Sequence, residues 1–266
     1  MDKTMMMLSF AAFVSCSLLA GQSDAERLLK SDQPSDAERN DSTAMNATEA
    51  SASDGEKGGV RIVFIGNSIT LHAPLPSIGW TNMWGMAASA EDKDYVHLVT
   101  HGIERNTGRR ADVRVKNLAA FERNYRTWDV ASGVKELADF NPEYLIVALG
   151  ENVSNLTNDA DREAYRAAFG KLVGAFFCDG RRPRTVIRGV FWPNSAKDAE
   201  MARIAAELGV PFVKADIADT PGMRATGLFA HNGVANHPGD AGMAEIANRV
   251  LDVLCGRMRS PTAPKP

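Results

Sequence analysis

The chain has 266 residues, 44% hydrophobic and 24% charged, with 30 basic residues, 33 acidic residues and a net charge of -3. That is globular composition, and it leaves no strong basic field to hold nucleic acid. Three cysteines are too few for a disulfide scaffold, and past the N-terminus no apolar run reaches membrane-spanning length.

Residues 1–20 read as an export signal. Lys3 supplies a positive start, residues 5–20 are apolar, and Ala20 is a small residue at the cut site. Phe13-Val14-Ser15-Cys16 is a loose match to a bacterial lipoprotein cleavage box, in which Cys16 would become a lipidated membrane anchor. Either route takes the product out of the cytoplasm, to the periplasm, the cell surface or the medium. A short buried helix is the alternative, but the residues that follow offer it nothing to pack against.

Residues 21–58 read as a disordered acidic tether. They contain no Phe, Trp, Tyr, Val or Ile, and the pentapeptide SDAER occurs at 23–27 and again at 35–39. Residues 1–58 hold ten acids and five bases, and the rest holds 23 acids and 25 bases. The acidic excess therefore belongs to the tether. Residues 59–258 form one nearly neutral domain, large enough for a sizeable core, and 259–266 a flexible tail. Within the domain Cys178 and Cys255 are left to pair with each other or to remain buried thiols.

The domain alternates strand and helix patterns. Residues 61–66 (RIVFIG) are a strand ending in Gly. Helical patterns follow at 81–90 and 94–105, then a strand at 112–117 and a helix at 125–140. Residues 143–150 (EYLIVALG) are the strongest strand, and 159–177 a long amphipathic helix. Strand 185–191, helix 196–208 ending at Gly209, strand 211–215 and helix 240–258 complete the pattern, with Asp240 placed to cap the last helix. Short apolar strands alternating with helices make a parallel sheet with helices on both faces, and chemistry in such a sheet sits outside the C-terminal strand ends.

Three segments lie there. Gly66-Asn67-Ser68-Ile69-Thr70 follows the first strand and Gly150-Glu151-Asn152 the third, while Asn236-His237-Pro238-Gly239-Asp240 precedes the last helix. A serine, an asparagine and a histidine thus converge on one rim. A serine hydroxyl needs a base within hydrogen-bond reach, and His237 is the candidate base.

These segments, in this order, resemble the sequence blocks of the SGNH hydrolases, the GDSL esterase/lipase-like superfamily, over residues 60–257. GNSIT resembles the first block with Asn67 in place of Asp. GEN resembles Gly-x-Asn-Asp with Val153 in place of the last acid, and the His-Pro segment resembles the fifth block. The resemblance implies a flavodoxin-like three-layer α/β/α sandwich with a parallel sheet of about five strands. It further implies a serine esterase of the carbohydrate-esterase kind, with Ser68 and His237 catalytic. The oxyanion hole would be built from the Ser68 amide, a backbone amide after the second strand at Ala119 or Ala120, and the Asn152 side chain. The family's Asp three residues before the histidine is Val234 here, which leaves a Ser–His dyad with a backbone carbonyl near Val234 to orient the imidazole. A carbohydrate O-acetyltransferase and a non-catalytic glycan-binding domain are the alternatives.

The rim holds further candidates for substrate contact: His72, Trp80, Trp84, Glu151, Trp192 and Asn194. Tryptophan suits stacking on sugar faces, and with export this points to an O-acylated, chiefly O-acetylated, carbohydrate. His97 and His101 are spaced i, i+4 with Asp94 nearby, but a third ligand is missing, so no metal is expected. The Gly-rich phosphate loops are absent, so no nucleotide cofactor is expected either.

Overall fold

The computed structural model describes residues 58–178 and 180–256. The expected export signal, the Cys16 anchor, the tether up to residue 57 and the tail from 257 lie outside them. Among the described residues no helix is long and apolar enough to cross a membrane. Cys178 and Cys255 are not joined by a disulfide.

Five strands form one parallel sheet: β1 Val60–Gly66, β2 Ala111–Asn117, β3 Tyr144–Ala148, β4 Arg184–Arg188 and β5 Phe212–Val213. Their order is β2-β1-β3-β4-β5. β3 is buried along its whole length, as a central strand of a covered sheet must be. β2, at the edge, interleaves Asp112, Arg114 and Lys116 with Val113 and Val115.

Successive side chains of a strand point to opposite faces, and β1 shows how this builds two cores. Ile62 and Phe64 join Tyr95, Val99 and Ile103 of α1 (Tyr95–Thr107) and Met243, Ile246 and Val250 of α7 (Asp240–Leu254). Val63 and Ile65 join the other face, where α2 (Ala119–Asn124), α3 (Val130–Asp139), α4 (Asp159–Gly174) and α5 (Ser195–Glu207) supply Phe121, Val134, Phe169 and Ile204. This is the three-layer α/β/α sandwich expected from the strand and helix patterns. One more turn of helix, α6 (Asn232–Ala235), precedes the histidine segment.

Three expectations need correction. Residues 81–90 are not helical. Long-range bonds claim their backbone: His72 N–H donates to Trp84 O (3.0 Å), Gly85 N–H to the Asp94 carboxylate (3.0 Å) and Met86 N–H to Ser68 O (2.9 Å). The helix expected over 125–140 begins only at Val130. Thr127 and Trp128 turn back onto Asn124 O, and Asp129 caps α3 by accepting from Ala131 N–H (3.0 Å). Asp240 is the first residue of α7, after an N-cap at Gly239, and does not cap it. Its carboxylate instead accepts from Ser89 N–H (2.8 Å) and Ser89 Oγ–H (2.7 Å) and pairs with Lys93 (3.1 Å).

In an open α/β sheet the crevice lies where the strand order reverses, here between β1 and its neighbours β2 and β3. The loops that leave these three strands carry Ser68, Ala119 and Asn152.

Candidate active site

Two glycines permit the turn geometry. A Cβ on Gly66 would sit 1.8 Å from Thr70 Oγ1, so only glycine lets the chain fold straight back at the end of β1. Thr70 and Leu71 then donate to Asn67 O (both 2.9 Å), which holds Ser68 at the apex, half-buried. Gly150 has φ +133°, a conformation other residues rarely adopt, and its missing side chain leaves room for Val190 and Met201.

Ser68 Oγ lies 2.8 Å from His237 Nε2. The other ring nitrogen, Nδ1, lies 2.7 Å from Gly233 O and donates to it. A carbonyl only accepts, so it places the proton on Nδ1 and leaves the Nε2 lone pair facing the serine. The carbonyl is available because α6 is a single turn. Asn236 N–H bonds Asn232 O and His237 N–H bonds Val234 O, which passes Gly233 O by. Ala225 N–H to His237 O (2.9 Å) braces the loop. Val234 is fully buried in an apolar cluster with Trp80, Met86 and Ala225, where a carboxylate would find no partner.

Burial holds the His237 imidazole down at about 4, with the charge of His72 acting in the same sense and the Gly233 carbonyl opposing it. No carboxylate hydrogen-bonds the ring to restore it. The imidazole is therefore neutral, the form able to take a proton, through most of the acid range. If it is the base in turnover, kcat/KM should stay flat on acidification past pH 6.5 and fall only near pH 4. The pH profile of ester hydrolysis measures this directly. A limb near 6.5 would mean that the ring gains an anionic partner in the working enzyme. The stability linkage has the same sign. A lowered folded-state pKa means that the contribution of this group is complete above 6.5 and is lost as pH falls towards 4.

Asn152, also half-buried, stands on the turn after β3. Its Nδ2 donates to Glu122 Oε2 (2.6 Å), and Glu122 Oε1 accepts from Gly150 N–H and from Asn67 Nδ2 (3.1 Å). The second hydrogen of Asn67 Nδ2 goes to Glu151 Oε2 (2.6 Å), and Glu151 Oε1 pairs with Arg188 Nη1 (2.8 Å) and accepts from Phe191 N–H (3.1 Å). Behind the serine lies a buried chain of polar groups, Glu122–Asn67–Glu151–Arg188. Burial and the nearby Glu151 charge push the Glu122 carboxyl above its usual range.

Sequence reasoning missed Glu122 and Arg188. An arginine inside the apolar run TVIRGVF was the available signal. A buried guanidinium demands an acid, and Glu151 lies on the turn that follows the neighbouring strand. Glu151 is accordingly a structural ion-pair member, and its burial takes it away from substrate.

The other rim candidates divide. Trp80 is fully buried against Trp84 and Phe229 and donates to His72 O (3.2 Å), so it cannot stack on a ligand. Trp192 is buried too, its ring perpendicular to that of His237 with centroids 5.2 Å apart, and it walls the imidazole instead of facing solvent. Asn194 caps α5 by accepting from Lys197 N–H (3.1 Å), which is its use here. Trp84 and His72 remain half-exposed beside the site, His72 with Nδ1 on Ala73 O (2.6 Å) and its pKa lowered by burial. The Ala119 N–H is taken by Asn117 Oδ1 (2.9 Å). The amide free to serve is Ala120, in the first turn of α2, where no carbonyl four residues back lies within the helix.

Asp94 caps α1 through His97 N–H (2.8 Å) and holds His97 Nδ1 (2.8 Å), while His101 is exposed. Among the described residues no group of three His, Cys, Asp or Glu is placed to hold a metal ion.

Neither a protein-family model nor a curated protein matches the chain. Solved structures do. A carbohydrate acetylesterase from Sinorhizobium meliloti matches with a TM-score of 0.50 at 12% identity, over 74% of this chain and 99% of its own. A catalytic mutant of an acetylxylan esterase from Geobacillus stearothermophilus matches with a TM-score of 0.47 at 16% identity, over 75% of this chain and 96% of its own. The chain thus has the three-layer fold of the Sinorhizobium meliloti acetylesterase.

Proposed function

We propose that this chain is an exported serine esterase that removes acetyl groups from O-acylated carbohydrate. One observation carries the reading: Ser68 Oγ sits 2.8 Å from an imidazole nitrogen whose tautomer is set by Gly233 O. The Ser68 proton passes to His237 Nε2 as Oγ attacks the ester carbonyl. The oxyanion is met by the Asn152 side-chain amide and by the Ser68 and Ala120 backbone amides. His237 returns the proton to the departing sugar oxygen, which leaves as a free hydroxyl. It then takes one from water, which attacks the acyl-enzyme, and passes that proton to Ser68 Oγ as the acetyl group leaves as acetic acid, which ionises to acetate. The carbohydrate part of the reading extends to this chain the activity named for the Sinorhizobium meliloti protein. Export rests on the signal-like residues 1–20.

The test is acetate release from glucose pentaacetate by the full chain, paired with diisopropyl fluorophosphate labelling and peptide mass mapping. Acetate release with the label on Ser68 is the expected result. No release and no label would overturn the esterase reading. Label without release would keep the activated serine and discard the carbohydrate ester.

A further inference from the structure

The amide of Asn152 can point its free N–H in a useful direction only if something holds the other. We propose that Glu122 is the positioning residue of the oxyanion hole: its carboxylate takes one Asn152 amide hydrogen and so aims the second at the Ser68 side of the turn. The inference rests on the esterase reading and deepens it.

Glu122 is fully buried on the six-residue helix α2, yet no cation hydrogen-bonds it. Its oxygens are filled by N–H donors from two other segments: Asn67 Nδ2 (3.1 Å) after β1, and Gly150 N–H with Asn152 Nδ2 (2.6 Å) after β3. A carboxylate accepts and cannot donate, so it sorts the Asn152 side chain by orientation, with Nδ2 inward and one N–H left over. An asparagine amide rotates easily when unheld, and one misdirected donor is lost to the transition state. The same carboxylate ties the Asn67 turn, which presents Ser68, to the Asn152 turn. Nucleophile and oxyanion donor therefore share one anchor.

The same network fits Asn67 at the position where the family's first block has aspartate. Asn67 gives one hydrogen to Glu122 and one to Glu151 (2.6 Å), and its Oδ1 accepts from Ile69 N–H (3.1 Å). Both amide hydrogens and the amide oxygen are engaged. Aspartate there would set a third carboxylate against two others with one buried arginine, Arg188, among them. Asn67, Glu122 and Glu151 form one arrangement, and Asn67 fits because the two glutamates are present.

The experiment compares the full chain with Glu122→Gln, Asn152→Ala and the double variant on p-nitrophenyl acetate. Glutamine keeps the volume but presents an NH2 where Asn152 needs an acceptor. Glu122→Gln should lower kcat about 10- to 100-fold with KM within about two-fold. In the double variant the Glu122 change should cost nothing beyond Asn152→Ala, because its effect passes through that amide. Activity within two-fold of wild type, or effects that multiply in the double variant, would overturn the positioning role. Should Glu122→Gln lose its near-UV circular dichroism, Glu122→Asp makes the same test with the acid kept and its reach shortened. Absence of turnover by the wild type would be a different failure, that of the esterase reading, and would remove this inference with it.

Discussion

Alanine at Ser68 or at His237 is expected to lower kcat/KM for p-nitrophenyl acetate by about three orders of magnitude or more, roughly 4 kcal/mol of transition-state stabilisation. The two groups act as one unit. Without Ser68 the imidazole has nothing to activate, and without His237 the hydroxyl keeps its proton at any useful pH. The double variant should therefore be no worse than either single one, in contrast to independent contributions, which would multiply. What remains should be the modest effect of the oxyanion donors and binding. Ser68 is half-buried, so its loss should leave the fold intact. His237 is buried, and its loss strands the Gly233 carbonyl and opens a gap beside Trp192. That should cost about 1–3 kcal/mol of stability, so the His237 variant must be checked by thermal unfolding first. Steady-state kinetics on the four proteins decides. A Ser68→Ala protein within tenfold of wild type would end the assignment of the nucleophile.

The absence of an acid three residues before His237 is compatible with the proposed dyad. An aspartate in that place orients the imidazole and stabilises the imidazolium. Gly233 O performs the first task at 2.7 Å. It performs the second only in part: burial lowers the His237 pKa, and the carbonyl raises it without restoring it. The price is a weaker base. The gain is a stronger conjugate acid, well suited to protonating a departing alcohol.

Much of this was legible in the sequence, and what was not has physical reasons. The strands β1, β3 and β4 announce themselves as short apolar runs, and the residues after them carry Ser68 and Asn152. His237 stands out as an imidazole in a loop before a helix. A backbone carbonyl near Val234 was expected to hold the imidazole, but not which one, because every residue has a carbonyl and only the one-turn helix α6 frees that of Gly233. Glu122 went unread because helix α2 was not expected. Its burial is tertiary: donors from the turns after β1 and β3 close over its carboxylate. Residues 81–90 have helical apolar spacing, but bonds to Ser68, His72 and Asp94 pull them into an irregular strap. Long-range hydrogen bonds there outweigh local propensity. Trp80 and Trp192 misled for a related reason. Tryptophan is both the best stacking residue and a large core residue, and composition cannot tell the two apart.

Asn152→Ala separates binding from catalysis. It should reduce kcat for p-nitrophenyl acetate about 100- to 1000-fold, or roughly 3–4 kcal/mol, with KM little changed. The reason is that the amide meets charge that exists only once Oγ has attacked. A ground-state ester carbonyl gains little from it. The same change leaves Glu122 Oε2 without its 2.6 Å donor, so about 1–3 kcal/mol of stability should go as well. Asn152→Asp makes the sharper comparison. It keeps the shape but sets a carboxylate against the Glu122 carboxylate. One of the two must then hold a proton, which raises the folded-state pKa of the pair. A raised folded-state pKa means stability present at low pH and lost as pH rises through it. The aspartate variant should therefore be the less stable of the two at pH 8 and recover towards the alanine variant as pH falls to 5. Urea unfolding at the two pH values measures this. If Asn152→Asp is as stable as wild type at pH 8, the Glu122 contact is not made in solution. If Asn152→Ala raises KM and leaves kcat alone, Asn152 binds substrate and the oxyanion must be held by the backbone amides.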